Sequence, residues 1–333
     1  MPPVAADLIL VFVGRDLTGD GVMKLPFLRA LRQSYPRAQI LWMARDKSVL
    51  ATTLWPLVDG LLDAVIEDTA LGRSWTDLFR PPVLLPRADL LLDTQRHVAT
   101  TLALRRLRPR RIVSAAAGWQ LSHLRPACRD KPPSMLGQML RLLEACGATP
   151  DLATLPPLSL PPALADEAAR RLPSGAPLVG LAPGAGDRRK CWPLSRFISL
   201  GRALADRGVR PVMLLGPGEQ DWLHRIASEL PEAALAIGPG DSPLLAIAVA
   251  RRLAVALAND SGTGHLIAAA GTRLVSLFGP TAPEKFAPAS PGLLVVRAQD
   301  FGASAMAAIP EQAVLARLIG ALPPGPWSVM PEG

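Results

Sequence analysis

Aromatic side chains make up only 5% of this 333-residue chain, with a single Tyr and seven Phe. Nucleic acid is gripped by aromatics interleaved with a basic face, so the shortage argues against a nucleic-acid partner. Cysteine is scarce too. Cys128, Cys146 and Cys191 are odd in number and far apart, and no Cys-x-x-Cys pair occurs. That disfavours a disulfide framework and a zinc site, and it fits a reducing cytoplasm. No apolar run reaches the ~20 residues that cross a bilayer. The N-terminus also lacks the basic-then-apolar pattern of a secretory signal. A soluble, cytoplasmic protein is expected, one still able to touch a membrane surface.

What is present is globular: 49% of residues are hydrophobic and 19% charged. A length of 333 residues exceeds what one core usually serves, so two domains are expected. The net charge of +8 comes mainly from Arg and calls for an anionic partner, such as a phosphorylated small molecule or an acidic glycolipid.

Short apolar runs alternate with helix-length segments. Strands are predicted over 8–13, 39–44, 90–92 and 111–115, then over 178–183, 211–216, 235–238, 254–259, 274–279 and 293–298. Continuous apolar strands between amphipathic helices imply parallel sheets covered on both faces, hence α/β domains of doubly wound type. Five prolines in "TPDLATLPPLSLPP" (149–162) exclude a helix interior or central strand and mark the domain boundary. The expected domains are 1–155 and 156–333. The final helix, 310–322, is available to pack back on the N-terminal domain. Ligands of open α/β sheets bind beyond the carboxyl ends of the strands, which for two such domains means a cleft between them.

Four stretches stand where strands end. In "ALANDSGTGHLIAAAGT" (256–272) an apolar strand reaches Asn259 and Asp260, then Ser261, Gly262, Thr263, Gly264 and His265. A helix from about His265 turns backbone N–H groups toward an anion, with a dipole worth roughly half a positive charge behind them. Glycine at 262 and 264 lets phosphate oxygens approach the backbone. Asp260 is either the helix cap or a group for a ligand hydroxyl, and alone the stretch reads equally as a capped turn.

In "LAPGAGDRRKCWPLSRF" (181–197), Gly184 and Gly186 follow a strand, and Arg188, Arg189 and Lys190 precede Trp192-Pro193. Arg189 and Cys191 stand where a Walker A loop needs Gly and then Ser or Thr, which disfavours a P-loop NTPase. Lys190 neutralises a diphosphate, or else the run is a solvated basic turn. In "GPGEQDW" (216–222), Glu219 either accepts from ribose hydroxyls, as an acidic residue beyond a Rossmann strand does, or opens a helix. In "VFVGRDLTGDGVMKLPFLRALR" (11–32), Gly14, Gly19 and Gly21 are too loosely spaced for Gly-x-Gly-x-x-Gly. Asp20 suits a general base, with helix capping as the competing role and Asp16 as a second candidate for either.

In this order, and with "ADLLLDTQRH" (88–97), the stretches resemble glycosyltransferase family 9, the ADP-heptose:lipopolysaccharide heptosyltransferases. "LTGDGVMKLPFLRALRQSYPRAQILWMA" is similar to the family's Gly-Asp loop, its leucine-proline helix and its second strand. "PGAGDRRKCWPLSRF" resembles its Pro-Gly-Ala and Lys-x-Trp-Pro, and "NDSGTGHLIAAAGTRLVSLFGPTAP" its Asp-Ser-Gly-x-x-His and Phe-Gly-Pro-Thr. The resemblance implies the GT-B fold, two doubly wound Rossmann-like domains facing each other across a cleft. The N-terminal one takes the acceptor and the C-terminal one the nucleotide sugar. It also implies an inverting glycosyltransferase with no metal or other cofactor. Such an enzyme moves a heptose or related sugar from ADP-heptose to a hydroxyl of a lipopolysaccharide core or similar glycoconjugate.

By the same resemblance Asp20 is the base and Lys190 stabilises the leaving diphosphate. Glu219 holds the ribose, while Asp260, Ser261, Gly262, Thr263, Gly264 and His265, with Gly184, bind the donor. Asp16-Leu17-Thr18 departs from the family's usual Ser and small apolar residue before Gly-Asp, so Asp16 stays in contention as the base. Trp119 and Trp192 are assigned to packing. The basic run 105–112, with Arg125, Arg129 and Lys131, is either a solvated surface or a rim for an acidic glycolipid at the inner membrane leaflet. A nucleotide-sugar epimerase of the same fold and a non-catalytic sugar-nucleotide-binding protein are the alternatives.

Overall fold

The computed structural model describes residues 3–69, 71–72, 75–79, 85–155, 157–172, 175–290, 292–325 and 327, without the side chain of Asp77. Pro156, the first residue of the expected second domain, lies outside the described residues, as do 328–333. The chain divides into two compact units, 1–156 and 157–333, and the division falls inside the proline-rich stretch.

In unit 1 the order is β1 (Leu8–Val13), α1 (Thr18–Ser34), β2 (Gln39–Ala44), β3 (Ala64–Ile66), β4 (Leu90–Asp93), α2 (Val98–Arg105), β5 (Arg111–Ser114) and α3 (Met135–Ala145). The five strands are parallel in the order β3-β2-β1-β4-β5. From β1 the chain winds outward one way through β2 and β3, then the other way through β4 and β5. The junction of β1 and β4 is therefore the topological switch point, where such sheets open a crevice at their carboxyl ends. Val11 and Phe12 on β1 and Leu91 and Leu92 on β4 are fully buried, since helices cover both faces and polar alternation has no place. The edge strand β3 was not expected: three residues are too few to carry a periodic signal, and pairing with Leu41–Met43 of β2 creates it.

Unit 2 runs α4 (Pro162–Arg171), β6 (Leu178–Ala182), α5 (Leu194–Ala205), β7 (Arg210–Leu214), α6 (Leu223–Glu229), β8 (Ala234–Ile237), α7 (Pro243–Ala250), β9 (Val255–Asn259), α8 (Gly262–Ala269), β10 (Leu274–Phe278), α9 (Pro283–Phe286), β11 (Leu293–Arg297) and α10 (Glu311–Ala321). Its strands, again parallel, are ordered β11-β10-β9-β6-β7-β8, with the switch point between β6 and β9. Helix α7 is buried throughout its apolar length, between α4 and α8. The helix expected over 310–322 is α10, which packs on β9, β10 and α5 of its own unit and buries Val314, Leu318 and Ile319 in that core. Trp192 is fully buried edge-on to Phe197, ring centroids 5.3 Å apart, and its Nε1 donates to Ile309 O at 3.0 Å. That anchor fixes the chain immediately after Lys190.

Candidate functional site

Beyond β1 the two acidic candidates part company. Asp16 turns inward and is only 2% exposed. Its carboxylate forms an ion pair with Lys24 and accepts from Trp42 Nε1 and Ser48 Oγ, each at 2.8 Å. Those three donors occupy both of its oxygens and tie the loop to β2 and to the turn at Ser48. Asp20 sits half-buried in the first turn of α1, where the Leu17 N–H donates to it at 3.4 Å. With Arg15, Lys24, Arg45, Thr94 and Gln95 it lines a cavity of about 210 Å³ past the carboxyl ends of β1 and β4. Asp16 thus braces the loop, and Asp20 is the carboxylate open to a ligand.

The Asp-x-Gln motif is a second brace. Asp93 is fully buried and accepts from Thr101 Oγ1 (2.6 Å), Ser114 Oγ (2.9 Å) and the Gln95 N–H (2.9 Å). Burial pushes its pKa up, and those three donors oppose the rise. The result fixes Gln95 beside Gly14, where a Cβ would meet Gln95 Oε1 at 2.9 Å.

The bracing role of Asp16 makes a definite expectation. Asp16→Ala strands the nearly buried Lys24 ammonium, and breaking a buried pair from one side costs about 3–5 kcal/mol. Urea unfolding followed by circular dichroism should show a loss of that order. A change below about 1 kcal/mol would mean that water or another group satisfies Lys24.

In unit 2 helix α8 begins at Gly262, three residues before the start expected near His265. Its cap is Ser261, whose Oγ accepts from the Gly264 N–H at 3.3 Å, so Asp260 is not the cap. Gly264 sits in a tight place, since a Cβ there would come within 3.2 Å of Asn259 O. The N–H groups of Gly262 and Thr263, in the first turn, have no acceptor within the helix. Thr263 and His265 are half-buried in that same turn. Asp260, 7% exposed, accepts from Lys190 Nζ at 2.8 Å and from Thr281 Oγ1 at 2.6 Å. The positive end of α8 and the Lys190 ammonium therefore stand together at the β6/β9 switch point.

The basic turn before Trp192 resolves into three different environments. Arg188 stacks on Trp222, 4.2 Å from the ring centroid, and donates to Gly218 O at 2.8 Å. Arg189 is exposed and paired with Asp187 at 2.8 Å. Lys190 turns to Asp260, with the Phe286 ring 5.8 Å from its Nζ. Glu219 is 6% exposed, takes the Gly216 N–H, and lies against Gly184, where a Cβ would meet its Cδ at 2.2 Å. Burial pushes the Glu219 pKa up, while the Gly216 N–H and the nearby Arg188 charge pull against it. Gly184 and Glu219, remote in sequence, thus form one surface.

Asn259 was not singled out by sequence reasoning, although the Asn-Asp pair at a strand end was a usable signal. Fully buried, it accepts from the Trp192 N–H at 3.1 Å and donates to Pro183 O at 2.7 Å. It sews both ends of the loop carrying Gly184 and Lys190 to the end of β9. In unit 1, Arg105, Arg108, Arg110, Arg111, Arg125 and Arg129 are exposed, and Arg110 pairs with Asp89 at 3.3 Å. Among the described residues no group of three or more His, Cys, Asp or Glu is placed to hold a metal ion. No helix among them is long and apolar enough to cross a membrane.

Residues 87–313 match the family model of glycosyltransferase family 9 (heptosyltransferase). Lipopolysaccharide heptosyltransferase 2 of Escherichia coli (strain K12) is 24% identical over 328 residues, covering 86% of this chain and 87% of that protein. Among solved structures, a family 9 glycosyl transferase from Veillonella parvula superposes with a TM-score of 0.70 at 18% identity, covering 96% of this chain and 98% of that one. The E. coli ADP-heptose lps heptosyltransferase II gives 0.68 at 21% identity, covering 94% and 98%. These likenesses show the GT-B fold. Because the family match spans well over half of the sequence and takes in Lys190, Glu219 and the Asp260–His265 loop, the chain belongs to glycosyltransferase family 9, the heptosyltransferases.

Proposed function

We propose that this enzyme transfers a heptose from ADP-heptose to a hydroxyl of a lipopolysaccharide core or similar glycoconjugate, with inversion and without a metal ion. The observation that carries the reading is the Lys190 ammonium held on Asp260, two residues before the N-terminus of α8, at the β6/β9 switch point. A departing diphosphate needs preorganised donors, and this group supplies a full charge, backbone amides and a helix dipole at one place. Glu219 accepts from the ribose hydroxyls, with Gly184 giving the close approach. Asp20 takes the proton of the acceptor hydroxyl as its oxygen bonds to the sugar carbon. The bond from that carbon to the phosphate oxygen breaks, and its electron pair leaves with ADP. A single displacement of this kind inverts the sugar carbon. Base and leaving-group stabiliser are carried by different units of the chain.

The acceptor is assigned as an acidic glycolipid, in keeping with the exposed arginines of unit 1 and the net charge of +8. The enzyme works in the cytoplasm, peripherally on the membrane face that presents this lipid. ADP release measured with and without acceptor tests the reaction, with the donor alone followed by NMR. Release that requires acceptor is the expected result. Change in the donor sugar without acceptor would mark an epimerase, and ADP binding with no turnover on any acceptor would mark a binding protein.

A further inference from the structure

The reading above uses Lys190, yet Lys190 reaches the α8 terminus on four flexible carbons, and something must aim it. Asp260 Oδ2 takes Lys190 Nζ at 2.8 Å, and the same oxygen takes Thr281 Oγ1 at 2.6 Å. Thr281 itself stands on a loop that is firmly held. A Cβ on Gly279 would meet Met306 Sδ at 2.6 Å and Ser304 O at 2.8 Å, so that turn is packed tight. Gln299 Nε2 adds a hydrogen bond to Gly279 O at 2.6 Å. A hydroxyl on this braced loop thus pins a nearly buried carboxylate, which in turn holds the ammonium of a lysine whose side chain is 27% exposed.

We propose that Thr281 is a positioning residue for the transfer reaction: its hydroxyl locks the Asp260 carboxylate, and through it sets the direction of the Lys190 ammonium. Without that hydroxyl Asp260 is free to rotate, and the lysine follows it through many rotamers. The kinetic part of the inference rests on the heptosyl-transfer reading; the structural part does not.

Thr281→Val removes the hydroxyl at nearly constant volume. A hydrogen bond to a charged group is worth enough to lower kcat by about tenfold or more when it is lost, and any rise in KM for the donor should stay below that of Lys190→Met. The loss cannot exceed that of removing Lys190, because Thr281 acts through it. In a Lys190→Met background, therefore, Thr281→Val should cost nothing further, while Thr281→Ser should restore kcat. A second readout needs no turnover. The chain has five lysines, Lys24, Lys47, Lys131, Lys190 and Lys285, so acylation by an amine-reactive ester is readily mapped by peptide mass spectrometry. Thr281→Val should raise Lys190 labelling several-fold relative to Lys285, and Thr281→Ser should not. Should the Val variant fail to fold, Thr281→Ala carries the same expectations. Unchanged Lys190 labelling, or a kcat loss that multiplies with Lys190→Met, overturns the proposal. A wild-type enzyme without turnover sinks the transfer reading, and the labelling then decides the positioning alone.

Discussion

Asp20→Asn should abolish acceptor-dependent ADP release, cutting turnover by about 10²–10⁴-fold, and leave ADP affinity intact. An acceptor hydroxyl is a weak nucleophile at neutral pH, and a positioned carboxylate is what makes it competent. The substitution is nearly isosteric, and an amide oxygen still takes the Leu17 N–H that Asp20 now accepts, so α1 should start as before. The neighbouring carboxylate offers no substitute. Asp16 is bound by Lys24, Trp42 and Ser48 and lies in the protein interior. Turnover of Asp20→Asn equal to wild type would remove the base from this account.

Lys190→Met carries the second large effect. Removing one preorganised donor to a developing oxyanion costs roughly 10²–10³ in kcat. Here the loss has two parts. The ammonium no longer meets the diphosphate, and Asp260, 7% exposed, is left with Thr281 as its side-chain donor and a negative charge near the phosphates. ADP affinity should therefore fall along with kcat. Lys190→Arg should rescue only in part, because a planar guanidinium does not place its donors where a compact ammonium does. Kinetics with the acceptor at saturation check both variants. A kcat/KM for Lys190→Met within about threefold of wild type would show that the diphosphate is held elsewhere.

Much of this arrangement was legible in the residues. Apolar runs such as "LILVFV" and "LVSLFG", the second interrupted by Ser276 alone, announce strands buried on both faces, and they form β1 and β10. The glycine, serine and threonine after Asn259 announce a helix start open to an anion. Less legible was anything decided by tertiary contact. Asp16 and Asp20 are chemically alike in the sequence; only the approach of Trp42 from β2 and of Ser48 beyond it separates brace from open carboxylate. Asp260 looks like a cap until Ser261 is seen to do the capping and Lys190 and Thr281 arrive from 70 and 21 positions away. Gly184 looks like a phosphate-loop glycine, and its Cα turns out to lie against the Glu219 carboxylate. "DRRK" looks like one basic surface, whereas Trp222, Asp187 and Asp260 each claim a different member. Strand β3 escaped because three residues at a sheet edge have no pattern of their own.

The central claim, that the second unit grips the nucleotide diphosphate through Lys190 and the start of α8, is tested most directly by a crystal structure with ADP bound. The account predicts phosphate oxygens within about 3 Å of Lys190 Nζ and of the Gly262 and Thr263 N–H groups, with the ribose hydroxyls on Glu219. Diphosphate bound away from the Asp260–His265 loop, with Lys190 still paired only to Asp260, would contradict it.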